Sequence, residues 1–161
     1  MTKAEMWGRF DLDGATVEQI VEHGHSDFPY EVCGLLAGQR ARPESGQGAD
    51  AQPARVQAIY RVPNASRSMT SYSMEPKAML HAFNDMDDRE LDLLAIYHTH
   101  THTEAFPSPT DVELATYPDA VYLICSLQDD EPVIRAFDIV RGKITERTLQ
   151  IDGRPAAVGA R

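Results

Sequence analysis

Cysteine is scarce in this chain, and basic charge is in deficit. The 161 residues include only two cysteines, Cys33 and Cys125, far apart and in no CxxC pair. That excludes a disulfide framework and a cysteine-built metal ribbon, and it makes the reducing cytosol the expected home. Fifteen Lys and Arg stand against 25 Asp and Glu, a net charge of -10. So acidic a surface argues against a nucleic-acid phosphate or an anionic membrane as the main partner. Long hydrophobic runs are also missing. None approaches the roughly 18–20 residues that span a bilayer, and the opening MTKAEMWGRF has no apolar core of a signal peptide. A cytoplasmic protein is the expectation.

What is present suits one compact domain over residues 1–161. Hydrophobic residues make up 42% of the chain and charged residues 25%, enough apolar material for a core. Val17, Ile20 and Val21 fall at helical spacing and predict a helix over 13–25, its end weakened by Gly24. The apolar run Val32–Gly38 reads as a strand. Residues 39–54, rich in Gly, Pro and charge, read as an exposed mobile loop. Val56–Val62 alternates as a strand and Pro63-Asn64 breaks it. Pro76 opens a helix to about Asp88, with Ala78, Met79, Ala82, Phe83 and Met86 on its buried side. Leu91–Tyr97 is a strand, and Ser108 caps a helix ending near Tyr117-Pro118. Three strands close the order: Ala120–Leu127, Val133–Val140 and Ile144–Ile151. The tail GRPAAVGAR reads as frayed. Helices between strands early and strands in succession late predict an α/β (α+β) domain, a mixed sheet flanked by helices.

The chemistry concentrates in YHTHTHTEAFPSPTD, residues 97–111. Histidines two apart on an extended segment point the same way, so both can reach one ion. A catalytic zinc needs three protein ligands and one open position. Two registers fit. The first pairs His98 with His100, then Ser108 and Asp111. The second pairs His100 with His102, then Thr110 and Glu113. The first starts where the strand ends, which fixes its geometry better, and we prefer it. Plainer readings exist. Ser108-x-x-Asp111 is also the pattern of a helix capping box, and three histidines in a polar loop can be solvated and idle.

The first register, His98-x-His100-x7-Ser108-x2-Asp111, resembles the signature of the JAMM (MPN+) metalloproteases. The upstream segment PYEVCGLLAG, residues 29–38, resembles the family's Glu followed by a Cys-Gly-Leu-Leu strand. One departure stands out: Thr101 occupies the place where the family commonly has proline. The resemblance implies a cytidine-deaminase-like JAMM fold, although the PCxxC element of the zinc deaminases is absent. It implies one zinc ion held by His98, His100 and Asp111, with Glu31 as general base and Ser108 as oxyanion donor. It also implies a protein substrate. Members of this size resemble peptidases that release cysteine from a ubiquitin-like sulfur carrier ending in Gly-Gly, a step of cysteine biosynthesis. The alternatives are a broader isopeptidase for ubiquitin-like modifiers and a metal-free scaffold. Cys33 has rival readings as a ligand, a nucleophile or a small core residue; the last is favoured. Cys125, Trp7 and Tyr122 read as packing residues. His23, His25 and His81 read as structural or exposed, and His102 as a loop residue near the site.

Overall fold

The computed structural model describes residues 8–40 and 55–156. The elements in chain order are β1 (Arg9–Leu12), α1 (Gly14–Ser26), β2 (Cys33–Gln39), β3 (Arg55–Val62), α2 (Pro76–Asp88), β4 (Asp92–His100), α3 (Pro109–Leu114), β5 (Val121–Ser126), β6 (Val133–Val140), β7 (Lys143–Ile151) and β8 (Arg154–Pro155). The strands form one mixed sheet in the order β1-β7-β6-β5-β4-β2-β3, with β8 on β7. Pairs β4–β5 and β1–β7 are parallel, and the other pairs are antiparallel. This is the mixed α/β architecture that the order of elements predicts.

Strand alternation sorts the core into two faces. Cys33, Leu35, Ala37, Ile96, Ile124 and Phe137 pack with Ala82 and Met86 of α2. Leu36, Ala95, Tyr97, Leu123 and Cys125 pack with Ile20 of α1. The buried side expected for α2 is the one observed, since Ala78, Met79 and Phe83 also lie against the first cluster. Helix α1 is capped by Asp13, whose side chain accepts from Thr16 N at 2.7 Å. Gly24 does not weaken its end. A Cβ there would lie 2.8 Å from Leu127 Cδ1 and 2.9 Å from Thr99 Cγ2, so glycine lets the helix approach β4 closely.

Four boundaries differ from expectation. Strand β4 does not stop at Tyr97; it runs through His100, because His98 and His100 continue the parallel ladder with Ile124 and Ser126. Helix α3 ends at Leu114, not near Tyr117. Ala115 is already extended at φ -76°, ψ 97°. Pro118 disfavours a helical conformation at Tyr117, and Tyr117 N donates instead to the Tyr122 hydroxyl at 3.1 Å. Strand β1 was not read from the sequence, since its four residues pair with β7 far along the chain. The tail is ordered at its start: Asp152 and Gly153, both at positive φ, turn β7 into β8 as Arg141 and Gly142 turn β6 into β7. Trp7, most of the expected loop 39–54 and the last five residues fall outside the described residues.

Candidate metal centre and catalytic site

The two histidines project from the end of β4, on the face that carries Ile96 and α2. Parallel β5 runs beside them, so the site sits at the carboxyl end of adjacent parallel strands, where α/β sheets leave a crevice. Helix α3 supplies the third group. Its first turn is the capping box that the plainer reading foresaw: Ser108 N donates to Asp111 Oδ2 at 2.9 Å, and Asp111 N donates to Ser108 Oγ at 3.1 Å. The box does not compete with the site; it builds it. The same Asp111 Oδ2 lies 3.2 Å from His98 Nε2 and 3.0 Å from His100 Nε2. The two Nε2 atoms are 3.2 Å apart. All three residues are buried, with His98 at 1% exposure, His100 at 4% and Asp111 at 7%. They are the His/Cys/Asp/Glu group that could hold a metal ion among the described residues.

This donor set suits a cation. His100 Nδ1 donates to the Glu104 carbonyl at 2.7 Å. That bond fixes the tautomer and leaves a lone pair on Nε2, facing the Asp111 carboxylate. A lone pair on His100 Nε2 and a carboxylate oxygen 3.0 Å apart call for a positive charge between them, a proton or a cation. The titration directions agree. Burial lowers the His100 affinity for a proton, but hydrogen bonds to Asp111 and the Glu104 carbonyl outweigh it, so its pKa is raised. For His98 burial prevails and its pKa falls. Burial opposes ionisation of Asp111, yet the contacts from His100 and His98 hold it well below the usual carboxylate range.

Glu31 precedes β2 and is 3% exposed. Its Oε2 is buried with no hydrogen-bond partner among the described residues. Burial pushes its pKa up to about 7; Asp111 adds to the rise and His100 opposes it. Both residues thus act electrostatically on the Glu31 carboxyl. A buried, unpartnered carboxyl poised near neutrality is suited to moving protons. Its backbone is fixed on both sides, with Glu31 N donating to Ser68 O at 2.9 Å and Asn64 Nδ2 donating to Glu31 O at 3.0 Å.

The second register is not assembled. His102 and Glu113 are exposed, and His102 Nδ1 meets Thr101 Oγ1 at 2.8 Å. Thr101, in the place of the family proline, is buried and donates to Met69 O at 3.2 Å. Cys33 is a core residue whose thiol donates to Val62 O at 3.3 Å, and burial pushes its pKa up to about 12, away from a ligand or nucleophile. Cys125 and Tyr122 are buried. His23 is structural: its Nδ1 meets the Tyr97 hydroxyl at 2.8 Å. His25 and His81 are exposed. Sequence reasoning missed Tyr72, whose ring stacks on His98 at 4.4 Å between centroids, and the Glu104 carbonyl. A main-chain oxygen leaves no residue-type signal, and Tyr72 is separated from His98 by a whole helix and strand.

The sequence pattern described as prokaryotic homologs of the JAB domain matches residues 14–140. A CysO-cysteine peptidase of Mycobacterium tuberculosis is 39% identical over 136 residues, covering 84% of this chain and 86% of that protein. A desampylase of Haloferax volcanii is 30% identical over 127 residues, covering 78% and 84%. A solution structure of a Desulfitobacterium hafniense protein superposes with a TM-score of 0.75 at 30% identity, covering 91% of this chain and 94% of that one. The chain therefore belongs to the prokaryotic JAB-domain family and is a JAMM-type hydrolase, with a buried His-His-Asp group that could hold a metal ion.

Proposed function

We propose that this protein is a zinc-dependent peptidase that hydrolyses the bond between the C-terminal glycine of a ubiquitin-like sulfur carrier and an attached cysteine. The free cysteine so released makes this a step of cysteine biosynthesis. One observation carries the catalytic part: three buried donor atoms converge, and Asp111 and His100 of that group act electrostatically on Glu31, whose buried Oε2 has no hydrogen-bond partner among the described residues. The substrate part is supported by the 39% identity to a CysO-cysteine peptidase over most of both chains.

His98, His100 and Asp111 would hold one zinc ion, two imidazoles and a carboxylate being an ordinary set for zinc with a position left open. A bound zinc ion supplies Lewis acidity and brings the pKa of water toward about 7. Glu31 takes the proton from the attacking water. It then delivers that proton to the departing amine, so the carboxyl returns to its starting state. Ser108 Oγ accepts the cap bond from Asp111 N, which leaves its O–H free to donate. That hydrogen stabilises the oxyanion of the tetrahedral intermediate. The capping bond thus goes to the hydroxyl oxygen and not only to the backbone, and it locks the oxygen in place. The carrier's Gly-Gly end suits such a site, because only glycine lets a backbone pass so close to buried groups.

A second reading is a broader isopeptidase that removes ubiquitin-like modifiers from proteins; the desampylase among its relatives supports it. A metal-free scaffold is disfavoured by the intact donor set. The deciding experiment is intact-mass analysis of a Gly-Gly-ended carrier bearing one C-terminal cysteine, with the native protein, Glu31→Gln and a chelated sample. Loss of one cysteine residue with the native protein alone is expected. An unchanged mass with zinc bound rejects cysteine release and leaves the isopeptidase reading.

A further inference from the structure

The two histidines are held in different ways. His100 is oriented by its Nδ1 bond to the Glu104 carbonyl at 2.7 Å. His98 has no such bond: its Nδ1 is buried with no hydrogen-bond partner among the described residues. Its Nε2 faces Asp111 Oδ2 at 3.2 Å, so on the Nδ1 side the ring is held by packing, and the group in place is Tyr72. The two rings stack with centroids 4.4 Å apart and planes 27° from parallel.

Tyr72 belongs to a closed loop between β3 and α2. Ala65 N donates to Ser73 O at 2.7 Å, and Glu75 N donates to Pro63 O at 3.0 Å, which ties the loop ends together. Inside it, Asn64 uses its whole hydrogen-bonding capacity. Its Nδ2 donates to Ser71 O at 3.1 Å and to Glu31 O at 3.0 Å. Its Oδ1 accepts from Ser73 N at 2.9 Å and from Ser66 N at 3.1 Å. Two of these bonds bracket Tyr72, and a third holds the main chain of Glu31. One amide thus spans the main chain of Glu31 and the backbone on either side of the ring that backs His98.

We propose that Asn64 and Tyr72 are positioning residues, through which one loop sets both the Glu31 carboxyl and the His98 ring. Neither touches the reacting atoms. The inference rests on the zinc reading of the site. It makes a sharp demand on side-chain chemistry: aspartate cannot replace Asn64, because it keeps the acceptor oxygen but offers no donor to the Glu31 and Ser71 carbonyls. Phenylalanine can replace Tyr72, because it keeps the ring.

The test measures zinc affinity of the full chain by competition with a chromophoric chelator, and the cobalt(II) absorption spectrum, with thermal melting of each variant alongside. Tyr72→Leu and Asn64→Asp are expected to weaken zinc binding about 10- to 100-fold, the usual effect of losing a group that orients a ligand, and to alter the cobalt spectrum. Tyr72→Phe is expected to stay within about threefold of native. Asn64→Asp also lowers kcat at saturating zinc with little change in KM, since Glu31 is displaced. Native-like zinc affinity and cobalt spectra in folded Tyr72→Leu and Asn64→Asp overturn the inference, as does a Tyr72→Phe as weak as Tyr72→Leu. If Asn64→Asp does not fold, the Tyr72 pair decides. A native chain that binds no zinc would instead refute the zinc reading itself.

Discussion

Glu31 shows what one residue owes to its surroundings. In isolation a glutamate before a strand is an exposed charge; here burial pushes its pKa up to about 7. Glu31→Gln keeps the shape and removes the base. Single-turnover hydrolysis should fall by at least about 10²-fold, the low end for general-base loss, with zinc content unchanged. Zinc content by elemental analysis separates this from a ligand effect. Ser108 has two duties and Ser108→Ala should reveal both. Loss of the cap costs about 1 kcal/mol in denaturant melts, and loss of the oxyanion donor lowers kcat about 10²-fold. A variant that loses stability with full kcat would leave Ser108 as a cap alone. The residue types and spacing of Glu31, His98, His100, Ser108 and Asp111 were legible in the sequence. Which histidine pair assembles was decided in space, because β4 continues to His100 and buries it while His102 turns out to solvent.

Helix α1 and strand β4 meet through small residues and one polar contact. Gly24→Val would press methyl groups on Leu127 and Thr99, and should destabilise by about 2 kcal/mol in chemical melts. Thr99 lies between the two site histidines, so zinc affinity is worth measuring in the same variant. His23 joins the same elements through the Tyr97 hydroxyl. Burial, with help from Arg61 and against Asp27, lowers its pKa to about 4 from 6.5. Its folded pKa lies below its unfolded one, so its contribution is fully present above about pH 6.5 and is lost as pH falls toward 4. His23→Gln should flatten the decline of melting temperature across that window; an unchanged slope would show that His23 titrates normally. Helix periodicity foretold α1 and α2 almost to the residue, because each buries one stripe. The shortness of α3 was not foretold, since a capping box marks where a helix begins and says little about where it stops.

For the whole molecule, the metal reading predicts coupling between binding and folding. A ligand set drawn from β4 and α3 exists only in the folded chain, so zinc at about 100 times its dissociation constant should add about 2.7 kcal/mol. For a domain of this size that raises the melting temperature by roughly 5–11 °C, and chelation reverses it. A melting temperature indifferent to zinc and chelator would mean that the site holds no ion in solution. Helix lengths add one more fact: no helix among the described residues is long and apolar enough to cross a membrane.

The sequence by itself determined the order of elements from α1 to β7, the face of α2 that packs and the family signature, because these depend on local periodicity and on residue types at short spacing. Tertiary structure decided the rest through contacts between distant segments. It joined β1 to β7, a pairing that a four-residue strand cannot announce. It extended the tail into β8, since a two-residue strand has meaning only beside its partner. It gave Asp111 Oδ2 to the capping box and to both histidines at once. It also carried Asn64 and Tyr72 to Glu31 and His98, a meeting no spacing encodes, because only the folded sheet brings the β3–α2 loop over the end of β4.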